Sequence, residues 1–283
     1  MPASPSLAGL RSRADLWLVL ARALARPSGP DFHAAFVGDL AAELGAIAGE
    51  LELEAEECLR ELAQAARALE EPLELERLHA ALFLVPPAPV ATNTAIYLDG
   101  ALLGPSELEM RRAYERHGLF CDPSFRDLAD HPTPQLEFVG RLYERAAEAL
   151  ERGEDMTALA LASEAERFLA RFPKRWITPF VAALEEACAE PGRNPCYLWL
   201  GRFLWLAVEH ELARSSTRFE EPGRALPEGS SRGLGEPTAE DLAEIAVRLE
   251  AAGLAFDHVR ALPGWREEAY RAKRAGASRS ETA

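Results

Sequence analysis

The sequence predicts an all-α fold, and three observations carry the prediction. Ala, Leu, Glu and Arg dominate the 283 residues, and these are strong helix formers. β-branched residues almost never fall in alternating runs, so the period-two signature of a strand is missing. Apolar residues recur instead every three or four positions, the spacing of one helix face. The expected architecture is a single-domain helical bundle over residues 1–218, then a flexible linker over 219–240. A short extra helix and a frayed tail over 241–283 complete the chain.

The elements follow in order. Leu16, Leu20 and Leu24, with Trp17 beside them, fit one face of an amphipathic helix. After Gly29-Pro30, Asp31 is a plausible N-cap, and Phe32, Phe36, Leu40 and Leu44 recur every four residues. A run from Glu52 to Glu70 places Cys58 among apolar positions. The next helix starts at Pro72 and ends at "LFLVPPAP", where prolines forbid continuation. "VATNTAIYLDGALLGPSE" then reads as a long ordered loop, with turns at Gly100 and Gly104 and a capped helix from Ser106 to near Gly118. A long helix carries Leu136, Val139, Leu142 and Tyr143 on to Gly153. Helices over Thr157–Phe172 and Pro173–Glu190 come next. Between Cys196 and Val208 only Arg202 is charged, so that helix is expected to bury most of its circumference. "FEEPGRALPEGSSRGLGEPTAE" lacks periodicity and reads as a linker. Leu242, Ile245 and Leu249 suggest a last short helix, and the residues from Tyr270 on read as frayed.

Composition narrows the function. Hydrophobic residues make up 48% and charged residues 27%, the balance of a soluble globular protein. A net charge of −15 argues against a nucleic-acid partner, which needs a basic face. It suits an Arg-bearing peptide, or serves solubility alone. Cys58, Cys121, Cys188 and Cys196 form no CxxC pair, so free thiols in a reducing compartment are expected. No segment reaches the roughly 20 apolar residues a bilayer span requires. The start imitates a secretion signal, but Asp15 and Arg22 interrupt what should be its apolar core. A cytoplasmic protein without membrane insertion is the expectation.

The most suggestive stretch is "RDLADHPTPQLEF". Asp130 beside His131 invites a catalytic dyad, yet no GxSxG elbow, Cys-His signature or HExxH accompanies it. Pro134 holds Thr133 extended, as an N-cap must be, and Pro134 itself suits the first helical position. Pro132 similarly holds His131. Structural capping, ligand contact and catalysis all remain open on these residues. The six histidines show no metal-ligand spacing, and Glu209-His210-Glu211 point to different faces of a helix. No phosphate-cradling glycine motif occurs. The loop "AIYLDG" joins an aromatic, an acid and a turn glycine, and self-structured loops of this length are often functional.

In order, "LHAALFLVP", "AIYLDGALLG", "DLADHPTPQLEFVGRLYE" and "FLARFPKRWITPFVAALEEAC" resemble the TorD/DmsD/NarJ family of molybdoenzyme maturation chaperones, over roughly Glu71 to Arg214. Leu82, Phe83, Asp130, His131 and Leu136-Glu137-Phe138 match its motifs. His79 stands where that family usually has an aromatic residue, and Asp127 replaces a glutamate. The resemblance implies an all-helical cytoplasmic chaperone, with no enzymatic activity and no cofactor of its own. Its partner is the catalytic subunit of a molybdenum-containing oxidoreductase and that subunit's twin-arginine leader, held back from export until cofactor is inserted. Asp130 and His131 become a hinge and partner-contact pair. An arginine-bearing leader needs an apolar groove and carboxylates. The expected peptide-binding set is therefore Leu82, Phe83, Tyr97, Asp99, Gly100, Asp127, Asp130, His131 and Pro132, with His131 able to titrate near neutral pH. The alternatives are a leader-independent assembly adaptor, or a small enzyme or nucleotide-dependent factor built on His131 and nearby acids.

Overall fold

Helix α1, Leu7–Ala23, opens where the Ser6 hydroxyl accepts the Gly9 N–H at 3.1 Å in the computed structural model. The structure describes residues 6–122, 125, 127–216, 239, 243 and 266–280. Leu10, Leu16, Trp17 and Leu20 are buried on one face, which packs most extensively against α8, Pro132–Glu151, and next against α3, Leu40–Leu51. The amphipathic reading of the N-terminal segment therefore describes a core helix.

Helix α2, Gly29–Ala34, has Pro30 in its first turn and Ser28 at its cap position, so Asp31 lies inside the helix. A π-helical turn, Ala35–Asp39, separates it from α3. The extra residue rotates the apolar stripe: Phe36, Leu40 and Leu44 are buried, while Phe32 is only half-buried. α3 ends at Glu52 in the left-handed region (φ 58°), so Glu52 closes one helix and does not open the next. α4, Glu56–Arg67, buries Cys58.

α5, Pro72–Phe83, starts at its proline, where the Glu71 N–H donates to the Glu74 carboxylate at 3.2 Å. In the segment read as a loop lies the short helix α6, Ala95–Asp99, closed by Gly100 at φ 75°. α7, Pro105–Arg116, follows. α8 leads into α9, Asp155–Arg171, then α10, Pro173–Cys188, and α11, Cys196–Ser216. Among the described residues there is no strand, and the all-α bundle is as the sequence predicts.

The core joins Trp17, Tyr143, Trp176, Phe180, Tyr197 and Phe203, each nearly or wholly buried. The half-buried Arg13 and the buried Glu211 tie α1 to α11. Arg13 Nε donates to both Glu211 oxygens at 2.9 and 3.0 Å, and the Tyr143 hydroxyl donates to Glu211 at 2.9 Å. A buried carboxylate is tolerated only with such partners.

The chain divides into two units, Met1–Glu220 and Glu221–Ala283. Of the expected linker only Ala239 is described, and of the expected helix near Leu242 only Ala243. In the second unit α12, Glu267–Ser280, is helical where the sequence reads as frayed.

Candidate functional site

The corner before α8 is built from backbone outward. His131 sits extended (φ −61°, ψ 144°) and its Nδ1 accepts the Thr133 N–H at 3.1 Å, making His131 the N-cap and Pro132 the first helical residue. The helix thus starts two residues earlier than a Thr133 cap implies. Both prolines fit, because the first-turn N–H groups they lack have no intrahelical partner anyway.

Asp130 is fully buried. Its Oδ2 accepts the Ala95 N–H at 2.7 Å and its Oδ1 lies 3.4 Å from Asn93 Nδ2. Its carbonyl accepts the Thr94 hydroxyl at 2.8 Å and Gln135 Nε2 at 2.6 Å. Gln135 also donates to Thr94 Oγ1 at 2.8 Å, and its Oε1 accepts the Trp176 indole N–H at 2.9 Å. One buried network therefore fastens the α6 loop, the corner, α8 and α10. Burial raises the Asp130 pKa, opposed by the Ala95 and Asn93 hydrogen bonds. Burial pushes His131 down to about 4, against the opposing pull of Asp127. His131 is consequently neutral from pH 6 to 8, which corrects the expectation that it titrates there. Its Nδ1 and the Asp130 carboxylate are engaged with different backbone amides, so the two do not form a dyad.

The other predicted residues divide between core and surface. Leu82 and Phe83 are buried. Phe83 packs edge-on to Tyr197 at 5.2 Å and parallel to Phe180 at 6.4 Å. His79 takes an aromatic's place there, 5.0 Å from Phe83 and 5.8 Å from Tyr197. Burial pushes its pKa to about 4, with His131 and Arg26 adding to the effect.

Tyr97 is half-buried. Its hydroxyl bonds both the N–H and the carbonyl of Ala91 at 3.1 Å, and burial pushes it up to about 12. Asp99 spends both oxygens on Ser106, accepting its N–H and hydroxyl at 2.9 Å. Gly104 therefore holds the cap position of α7, and Asp99, not Ser106, supplies the oxygen that accepts a first-turn N–H. Asp127 is exposed and accepts from Asn93 Nδ2 at 2.8 Å. Gly100 is exposed and Pro132 buried. Of the predicted set, Asp130, His131, Asp127, Tyr97 and Asp99 frame one corner, while Leu82 and Phe83 belong to the core behind it.

Beside the corner opens a cleft of about 510 Å³, lined by Tyr114, Leu119, Phe120, Phe125, Pro134 and Phe138. Phe120 is 77% exposed, and the Phe125 ring lies edge-on 5.7 Å from His131. Thr133, whose hydroxyl has no hydrogen-bond partner among the described residues, lines it too. Asp122 and Glu137 line it against Arg141, whose guanidinium pairs with Glu137 at 3.5 Å and with Glu144 at 2.9 Å. Burial, then Glu137 and Glu107, raises the Cys121 thiol at its edge, the opposite of what a nucleophile needs.

Sequence reasoning missed Gln135 and Phe120. A glutamine inside the apolar period of "PQLEF" and an aromatic between Leu119 and Cys121 were the available signals. Among the described residues no three His, Cys, Asp or Glu side chains gather as a metal ion requires. No described helix is long and apolar enough to cross a membrane.

Fold and corner define a class: an all-α bundle protein with an internally braced Asp-His corner beside an aromatic cleft. Residues 48–182 match the family model described as nitrate reductase delta subunit. Over that segment the chain is similar to this NarJ/TorD-type family, known for molybdoenzyme maturation chaperones. No curated protein and no solved structure gave a match.

Proposed function

We propose that this protein is a cytoplasmic maturation chaperone. It holds the catalytic subunit of a molybdenum-containing oxidoreductase, through that subunit's twin-arginine leader, until cofactor insertion is complete. The family match over residues 48–182 carries the reading. The structure supports it in two ways. The corner's polar atoms are spent on internal bonds that brace a scaffold, and the surface beside it offers apolar aromatic area for another polypeptide. Leu82, Phe83 and Asp130, being buried, would act by shaping this scaffold, and Asp127 is the acid of the set that faces solvent.

The test is capture of the client. The tagged chain is purified from its host beside the apo catalytic subunit, with and without the leader. Retention that disappears on leader removal is the expected result. Retention indifferent to the leader makes the protein a general assembly adaptor and overturns the leader mechanism.

A further inference from the structure

A second concavity, of about 800 Å³, lies where the start of α4 meets α10 and α11. Its floor is apolar, formed by Val181, Trp199, Trp205 and Leu206. Trp205 is 40% exposed on a helix whose other bulky residues are mostly buried. Among the described residues four carboxylates edge the groove, Glu54, Glu56, Glu57 and Glu185, against one cation, Arg202. Glu54 and Glu56 are exposed and have no ion pair among the described residues.

Arg202 displays how this surface takes a guanidinium. Its charged end stacks over the Trp199 ring, 4.6 Å from the centroid, and bonds to Glu185 at 2.8 Å. An indole face beside a carboxylate is a favourable guanidinium site. Trp205 lines the same groove as Glu54 and Glu56, an indole and carboxylates again, and among the described residues no cation stacks upon it. Acids in the first turn of α4 also complement its helix dipole. That role does not account for Glu185, which belongs to α10, or for the exposure of Trp205.

We propose that this groove binds a cationic, apolar segment of a partner polypeptide, in which an arginine pair flanks an apolar stretch. The arginines lie against Trp205 and the Glu54–Glu56 edge, and the apolar part lies along Val181 and Leu206. This rests on the proposed function in one respect, that the client's leader is such a segment. The groove with four carboxylates on its edge then receives it, in preference to the cleft beside the corner, whose lining carries two, Asp122 and Glu137, against Arg141.

The experiment titrates a labelled synthetic leader into the full chain, using wild type, Trp205→Ala, the double variant Glu54→Gln/Glu56→Gln, and Phe120→Ala. Met156→Ala, an apolar side chain 77% exposed on α9, controls for unspecific apolar contact. Trp205→Ala is expected to weaken binding about tenfold or more, as loss of a central aromatic anchor does. The glutamate variant is expected to weaken it and flatten its salt dependence. Binding that survives both changes but is lost in Phe120→Ala moves the leader to the other cleft and overturns the proposal. A second peptide, of unrelated sequence with two arginines beside an apolar run, separates the two readings. If it binds through Trp205 while the leader does not bind at all, the groove stands and the leader function falls. If neither peptide binds, the groove proposal falls.

Discussion

Asp130 Oδ2 accepts the backbone N–H of Ala95 at 2.7 Å, so the turn ahead of α8 caps the first turn of α6, thirty-five residues earlier in the chain. Ala95 and Asp130 are both completely buried. The contact makes the Asp-His corner a joint between two loops, and it explains why an acid occupies a site where burial works against charge. Removing the carboxylate strands a buried amide donor. Asp130→Ala is expected to cost about 2–3 kcal/mol, read as a lowered urea midpoint at unchanged m. Asp130→Asn retains one carbonyl acceptor and should lose less. Equal losses in the two variants, or none in either, would contradict the joint.

The fold was legible wherever a proline met an apolar period. Pro72 and Pro173 open α5 and α10, because proline suits the first turn of a helix; Pro179, inside α10, is an exception to that preference. The corner itself was also legible as a cap, though two residues late. What the pattern could not carry was direction. Periodicity cannot say that a five-residue π turn rotates Phe32 outward, or that the "AIYLDG" loop folds inward so that Asp99 serves Ser106. Nor can it separate Trp199 from Trp205, six residues apart on one apolar helix, since exposure depends on which neighbours arrive. Leu82, Phe83 and Asp130 are of types that suit contact with a peptide. The same types suit a core, and packing decided.

Two buried histidines set a pH dependence of stability. His79 and His131 are both pushed from 6.5 to about 4, by burial first. A lowered histidine pKa means that the unfolded chain binds protons between those values while the folded chain does not. Stability is therefore full above pH 6.5 and is lost as pH falls towards 4, at up to about 1.4 kcal/mol per pH unit per histidine. Denaturant midpoints at pH 7.5, 6 and 5 should fall in that order. His79→Phe should flatten the dependence. It should also be neutral or stabilising by about 1 kcal/mol at pH 7.5, since Nε2 of His79 is buried without a partner and a phenyl ring keeps the contacts to Phe83 and Tyr197. A midpoint independent of pH in wild type would show that neither imidazole is excluded from protons.

Gln135 and Trp176 act as a unit. Gln135 is completely buried, and its amide spans Thr94, the Asp130 carbonyl and the Trp176 indole. Gln135→Ala should cost about 2–4 kcal/mol through stranded partners and a cavity. Trp176→Phe also loses the indole donor. Because both changes break the same hydrogen bond, the double variant should be less destabilised than the sum, by about 0.5–2 kcal/mol. Strict additivity in a double-mutant cycle would place the two side chains in independent environments.

Two glycines, each inside a helix, should respond to alanine in opposite directions. Gly140 lies where α8 crosses α1, and a Cβ there would meet Leu18 Cγ at 2.7 Å and the Ala14 carbonyl oxygen at 3.2 Å. The leucine would have to change rotamer, and the carbonyl belongs to a helix backbone that cannot turn aside. Gly140→Ala should therefore push apart the most extensive helix pair in the bundle, at about 1–3 kcal/mol. At Gly45, in α3, the nearest atom to a new Cβ is Leu59 Cδ1 at 3.7 Å, an ordinary contact. There only the entropic gain of replacing a helical glycine remains, and Gly45→Ala should stabilise by about 0.5–1 kcal/mol. The pair is measured side by side in urea, so that propensity, common to both, cancels and only the helix–helix approach separates them. If Gly140→Ala also stabilises, α1 and α8 have room to part, and the tight crossing that sets the bundle's core is not a constraint on its sequence.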